Sequence, residues 1–272
     1  PTGLRNLDRH IGGLVPGRFT IIAGRPGMGK SSLAVAFALN LARVGKRVLF
    51  FTLEMVADEL IERMISVLSG VNLLAVKQEK ADKALLDRFY QASMDLEKLP
   101  IVIEENRDTS ENQIAAIRHQ AKTGGVDLAV IDYLGLMTTG QRRVENRVQE
   151  VSTISRQLKL AAVREHIPIV AVSQLNRALE GRENHRPRLA DLRDSGSLEQ
   201  DADLVLLLHR EDYYRRQANP YTTTLDGLTD CIIAKQRGGP CGVARLVFIE
   251  EATKFTDCAT DDAIQECLSV ES

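Results

Sequence analysis

Short apolar runs and amphipathic stretches take turns along the chain. The run "RFTIIAG" leads, through a Gly-rich turn, into a segment with apolar residues at Leu33, Ala34, Phe37, Ala38 and Leu41. That spacing is one face of a helix, and it stops at Gly45. "RVLFFTL" is followed by helical "ADELIERMISVLSG", and "PIVIEE" by "SENQIAAIRHQAKTGG". Next come "VDLAVIDYL", a long polar-flanked helix in "VQEVSTISRQLKLAAVREH", then "IPIVAVSQ" and "ADLVLLLH". The runs are apolar without alternation, as strands are when helices cover both faces of a sheet. The pattern predicts an α/β fold with a mostly parallel, twisted sheet flanked by helices. "TDCIIAKQRGGPCGVARLVFIEE" breaks the rhythm, because two β-rich runs flank Gly-Gly-Pro and predict a closing C-terminal β-hairpin. From Thr256 the chain holds five acids, no Lys or Arg and little periodicity, which reads as frayed. One domain over 1–257 and a flexible acidic tail over 258–272 are expected.

Composition narrows the partners. With 272 residues and 44% hydrophobic content the chain can bury a large core. A net charge of −2 gives no global attraction to nucleic acid, so any such contact must come from local basic loops. Cys231, Cys241, Cys258 and Cys267 are far apart and form no CxxC pair, which argues against a metal site or a disulfide framework. A reducing cytoplasmic setting is the expectation. No apolar run approaches the roughly 20 residues of a membrane helix, and no signal peptide is visible. Pro1 opens the chain without a methionine, the mark of a processed start or of an excised piece.

Chemistry concentrates in "GRPGMGKSS". Gly24, Gly29, Lys30 and Ser31 fit G-x-x-x-x-G-K-[ST], the P-loop. Glycines there let successive backbone N–H groups converge on phosphate oxygens, and the following helix adds its N-terminal dipole. Gly27, Gly29, Lys30, Ser31 and Ser32 are therefore expected to cradle a nucleotide such as ATP. Lys30 would reach the β- and γ-phosphates, and Ser31 would ligate Mg²⁺. Asp132 ends the buried run "LAVID" and is expected as the second metal-side group; the alternative is an aspartate capping a turn. Glu54 closes "RVLFFTLE", read here as a strand beside that of the P-loop, and is expected to act as general base. Gln174 closes "IVAVSQ", where a neutral amide can bond the γ-phosphate and sense its loss.

Taken together, "GLRNLDRHIGGLVPG", "GRPGMGKSS", "FFTLEM", "VIDYLGLM", "VSQLNR", "LRDSGSLEQDAD" and "AKQRGGPCG" resemble the ATPase domain of DnaB-type replicative helicases over residues 1–257. The resemblance implies a RecA-like P-loop fold, a homo-hexameric ring with ATP between neighbours, and 5′-to-3′ movement on single-stranded DNA. It also implies that Lys235, Gln236 and Arg237 act on a neighbour's nucleotide, with Arg237 as the arginine finger, and that Arg63 stands beside the nucleotide. Spacing alone would leave Lys235 and Arg237 as a solvated basic strand edge and Arg63 as a helix-surface residue. The family's N-terminal collar and linker helix are missing from this stretch. Contacts with a primase and a helicase loader are accordingly expected mainly outside it.

Two loops are candidates for DNA. "TTGQRRVENR" carries Arg142, Arg143 and Arg147, and "NRALEGRENHRPRLADLRDSG" carries five arginines interleaved with acids. Mixed charge of this kind reads equally as a solvated connection. The resemblance implies that Arg193, with main-chain N–H groups at Asp194 and Gly196, holds the DNA backbone. With no Trp and 4% aromatic residues, base stacking is not expected to dominate. A RecA-like recombinase and a KaiC-like ATPase or kinase are the competing readings.

Overall fold

The computed structural model describes residues 1–105, 108–140, 146–182, 184–192, 196–219 and 227–259. In chain order the elements are α1 (Arg5–Ile11), β1 (Phe19–Gly24), α2 (Lys30–Arg43), β2 (Val48–Thr52), α3 (Ala57–Ser69), α4 (Leu73–Lys77), α5 (Lys83–Glu97) and β3 (Ile101–Glu105). There follow α6 (Ser110–Thr123), β4 (Leu128–Asp132), α7 (Arg147–Glu165), β5 (Ile169–Gln174), α8 (Gly196–Asp201), β6 (Leu204–His209), α9 (Glu211–Ala218), β7 (Leu228–Gln236), β8 (Gly242–Ile249) and β9 (Lys254–Asp257).

Among the described residues the strands form one sheet in the order β3-β2-β4-β5-β1-β6-β7-β8-β9. The pairs from β3 to β6 are parallel, and β7, β8 and β9 add antiparallel. Successive side chains of a strand point to opposite faces, and here both faces are buried. On one face Ile22, Phe50, Val130, Val172 and Leu206 pack with Leu33 and Phe37 of α2 and Met64 of α3. On the other, Ile21, Phe51, Ile131, Ala171 and Val205 pack with Ile117 of α6 and Leu158 of α7. Each such large side chain contributes about 1.5–3 kcal/mol by leaving water. That explains why these runs contain almost nothing polar. The antiparallel half differs, since β7 alternates buried and half-buried positions.

Three expectations need correction. First, β2 does not lie beside the P-loop strand: β1 is flanked by β5 and β6, and β4 and β5 stand between it and β2. Moreover β2 ends at Thr52, so Glu54 lies in the turn beyond it. Second, the closing hairpin gains a third strand, β9. Third, Thr256 and Asp257 are not frayed, because they belong to that strand. The Asp257 carboxylate accepts from the backbone N–H groups of Arg5 (3.1 Å) and Asn6 (2.9 Å), which caps the first turn of α1. Cys258 is also buried, and its carbonyl accepts from the Asn6 amide at 3.1 Å. Residues 260–272, most of the expected tail, lie outside the described residues, as does Cys267.

Candidate active site

The P-loop runs from the end of β1 to the start of α2 and is shaped by glycines. Gly27 and Gly29 have φ of +80° and +87°, the left-handed region. Added Cβ atoms there would come within 2.6 Å of the Tyr213 ring and 2.9 Å of the Phe255 ring. Gly29 caps α2 without a side-chain bond, so the first N–H groups of that helix remain available to an anion. The Lys30 ammonium donates to the Arg25 carbonyl at 3.0 Å. Burial lowers the Lys30 pKa to about 8, against the opposing attraction of Asp132 and Glu54.

Asp132 ends β4, opposite Thr52 of β2, and is 1% exposed. Neither carboxylate oxygen meets a hydrogen-bond partner. Burial, and secondarily the Glu54 charge, push its pKa above the ordinary carboxylate value; the nearby Ser31 hydroxyl, Lys30 and Arg63 pull the other way. An orphaned buried carboxylate beside a serine hydroxyl suits a hydrated divalent cation. Among the described residues no group of three or more His, Cys, Asp and Glu could form a metal site by itself. One carboxylate and one hydroxyl would leave most of a cation's shell to phosphate and water.

A cavity of about 390 Å³ opens over the loop. Gly27, Gly29, Lys30, Ser31, Ser32, Glu54, Arg63 and Gln174 all line it. Gln174 arrives through β5, whose last residue stands in register with Gly24 of β1. Glu54 is exposed, and its turn brings it over the cavity although β2 is distant in the sheet. Sequence reasoning missed Tyr133, Phe248 and Thr253, which also line the cavity. Tyr133 directly follows Asp132, which was a usable signal. Phe248 and Thr253 come from β8 and the turn after it, and nothing local marks them as site residues.

A family model described as the DnaB-like helicase C terminal domain matches residues 1–257. The chain belongs to this family. It is 38% identical over 259 residues to the replicative DNA helicase DnaB of Geobacillus stearothermophilus, covering 94% of this chain and 56% of that protein. It is 40% identical over 258 residues to the probable plasmid replicative DNA helicase of Chlamydia psittaci, covering 94% and 55%. It thus spans little more than half the length of these curated relatives. A DnaB-like replicative helicase, solved in a study of its interactions with primase, superposes with TM-score 0.88 at 32% identity, covering 95% of this chain and 61% of that one. A second solved structure, of an ATPase domain, superposes with TM-score 0.87 at 33% identity, covering 95% and 90%.

In this DnaB-family domain Lys235, Gln236 and Arg237 stand apart from the cavity. Lys235 pairs with Val205 near the start of β6, at the sheet edge opposite the P-loop. A bulge at Ala234 interrupts the ladder just before it. Lys235 donates to the carbonyls of Glu199 and Gln200, and Arg237 donates to Gln200 O at 3.1 Å and lies 3.6 Å from the Asp203 carboxylate. Gln236 turns the other way and donates to the His10 carbonyl at 3.3 Å. Gly196 begins α8 and is exposed, while Arg193 and Asp194 lie outside the described residues, as do Arg142 and Arg143. Arg147 is held by the fold, donating to the carbonyls of Met137 (2.8 Å) and Gly135 (2.9 Å). Two further loop arginines are internally paired, Arg182 with Asp191 and Arg186 with Asp230. Among the described residues no helix is long and apolar enough to cross a membrane.

Proposed function

We propose that this chain is the ATP-hydrolysing motor domain of a replicative DNA helicase. Nucleotide would bind between neighbouring copies, and single-stranded DNA would be held by the segment carrying Arg193, Asp194 and Gly196. One observation carries the nucleotide half of this reading: Lys30, Ser31, Glu54 and Gln174 face one cavity above a buried, unpartnered Asp132. Lys30 would leave the Arg25 carbonyl for the β/γ-phosphates, where a charge-assisted bond is stronger than its present neutral one. Ser31 and Asp132 would hold Mg²⁺, which when bound offsets phosphate charge. Glu54, exposed at the rim, would orient or deprotonate a water entering from solvent. Gln174 would bond the γ-phosphate and register its departure.

The trans half of the reading draws on family membership and on the distance of Arg237 from its own cavity. The test compares ATP turnover with and without oligo-dT, for wild type and Glu54→Gln. Wild type should be stimulated by the oligonucleotide and should displace a strand from a forked duplex. Glu54→Gln should bind Mg-ATP yet turn over at least about 10²-fold more slowly, the contribution of a positioned base. Absence of stimulation would favour the kinase-type reading, and stimulation without strand displacement the recombinase reading.

A further inference from the structure

Arg25 occupies a variable position of the P-loop, yet its side chain does not serve the phosphate cradle. It is 7% exposed and turns into the loop that follows β5. Its Nη1 donates to the Leu175 carbonyl at 2.9 Å, and its Nε and Nη2 both donate to Glu180 Oε1, at 3.0 and 2.5 Å. The backbone repeats the link, since Leu175 N donates to the Gly24 carbonyl at 3.3 Å. From there the loop closes on itself. Asn176 N donates to Asp191 O at 2.8 Å, Leu175 bridges to Leu192, and Arg182 holds Asp191 with a two-pronged ion pair at 2.8 and 2.5 Å. Leu192 directly precedes Arg193 in the sequence.

We infer that the Arg25–Glu180 ion pair is a positioning link that transmits the state of the phosphate cradle to the loop from Leu175 to Leu192. Through that loop it would act on the DNA-contacting segment; this last step rests on the function proposed above. The Lys30 ammonium bonds the Arg25 carbonyl at 3.0 Å. The Met28 N–H also donates to that carbonyl, at 3.3 Å. A phosphate that competes for the ammonium would leave the Arg25 carbonyl with the Met28 bond alone. The backbone that changes partner is the one from which the guanidinium projects. Because the guanidinium is a rigid planar fork, a small rotation at Arg25 moves Glu180 and the Leu175 carbonyl together. Each ligand then biases the same element, which is what coupling between two sites requires. This route is separate from Gln174, which would respond to the γ-phosphate directly.

Glu180→Gln keeps the shape and removes the charge, and Glu180→Asp keeps the charge on a shorter arm. The experiment uses the assembled protein and labelled oligo-dT, with affinity measured by anisotropy in ADP and in a non-hydrolysable ATP analogue. Hydrogen exchange at residues 176–192 is followed in the same two states. The wild-type affinity ratio between nucleotides should be about tenfold, within the usual range of allosteric coupling. In Glu180→Gln the ratio should fall to within about twofold of unity. Melting temperature and basal ATPase should remain those of wild type, and Glu180→Asp should recover part of the ratio. The nucleotide-dependent change in exchange should vanish in the Gln variant. An unchanged ratio and unchanged exchange response in Glu180→Gln would overturn the inference. So would a ratio that falls only together with melting temperature and basal turnover, which is the signature of a merely structural brace. If wild type failed to bind oligo-dT, the DNA reading would fail, and the exchange comparison would still judge the ion pair.

Discussion

Replacing Asp132 by Asn keeps the outline of the side chain and removes its charge. The carboxylate is 1% exposed with both oxygens unpartnered, so in the unliganded protein it is a net liability. Leaving a buried polar group unpaired costs about 1–3 kcal/mol, and more when it is charged. The amide would still lack partners but would be neutral, so the difference, about 1–2 kcal/mol, should appear as added stability. At about 2 °C per kcal/mol for a chain of this size, the melting temperature should rise by about 2–4 °C. The sign with pH follows from the raised pKa. The native state keeps this proton at pH values where the unfolded chain has lost it, so stability falls as pH rises from the ordinary Asp value through the native one. The advantage of Asn should therefore be full above the native Asp132 pKa and shrink in acid, where the wild-type carboxyl is itself neutral.

Magnesium nucleotide should reverse the order. A ligand at one hundred times its Kd stabilises the native state by about 2.7 kcal/mol. Asp132→Asn should lose most of the magnesium-dependent part of that gain, because the charge that answers the cation is gone. Scanning calorimetry with and without Mg²⁺ and a non-hydrolysable ATP analogue reads both effects in one series. A variant that melts at or below wild type without ligand would refute the account of Asp132 as a buried charge whose burial outweighs the help of Ser31, Lys30 and Arg63. An undiminished magnesium-dependent shift would remove it from the metal site.

Two other outcomes are expected. The native Lys30 pKa near 8 lies below its ordinary value of 10.5, so between these the unfolded state binds more protons and unliganded stability rises with pH. Lys30→Met should abolish that rise, while wild-type ATP affinity, titrated calorimetrically, should weaken about tenfold per pH unit above about 8, as one lost proton dictates. Arg237→Ala should bind ATP nearly normally and hydrolyse it about 10³-fold more slowly. Mixing it with Lys30→Ala should restore some turnover, and no rescue in co-assembled subunits would count against action in trans.

The parallel half of the fold was legible in the sequence because each of its inner strands is buried on both faces and so tolerates little but apolar residues. The P-loop was legible for a different reason: Gly27 and Gly29 adopt positive φ under the rings of Tyr213 and Phe255, which side chains with a Cβ resist. Strand order was not legible, because local patterning does not say which neighbour a crossover selects. Glu54 was nonetheless expected at the site, since the carboxyl ends of parallel strands share one edge whatever their order. β9 has only four residues, and α4 has no buried residue, so neither leaves an apolar pattern to read. Arg25 was hidden at a motif position that the P-loop pattern leaves open to any side chain. Its partner Glu180 lies 155 residues away, a pairing that only the folded loop makes visible.

The placement of Arg237 bears directly on assembly. It follows β7 at the edge of the sheet where β1 begins, as its N–H bond to the Asp203 carbonyl (2.7 Å) and the Asp203 N–H bond to the Phe19 carbonyl (2.8 Å) record. The P-loop leaves from the other end of β1, at Gly24, five residues after Phe19. At about 3.3 Å per residue the two edges are separated by about 17 Å of strand. β8, with eight residues, spans about 24 Å between the turn that holds Arg237 and the turn that holds Thr253 over the cavity. An extended arginine side chain covers less than half of the shorter distance, and a packed sheet does not bend to bring its opposite edges together. Arg237 therefore has no route to a phosphate in its own cavity. Its 59% exposed side chain, resting on Gln200 and Asp203, can meet a γ-phosphate only when a second copy presents its P-loop to this edge. A ring or filament of copies repeating that head-to-tail contact satisfies every site at once.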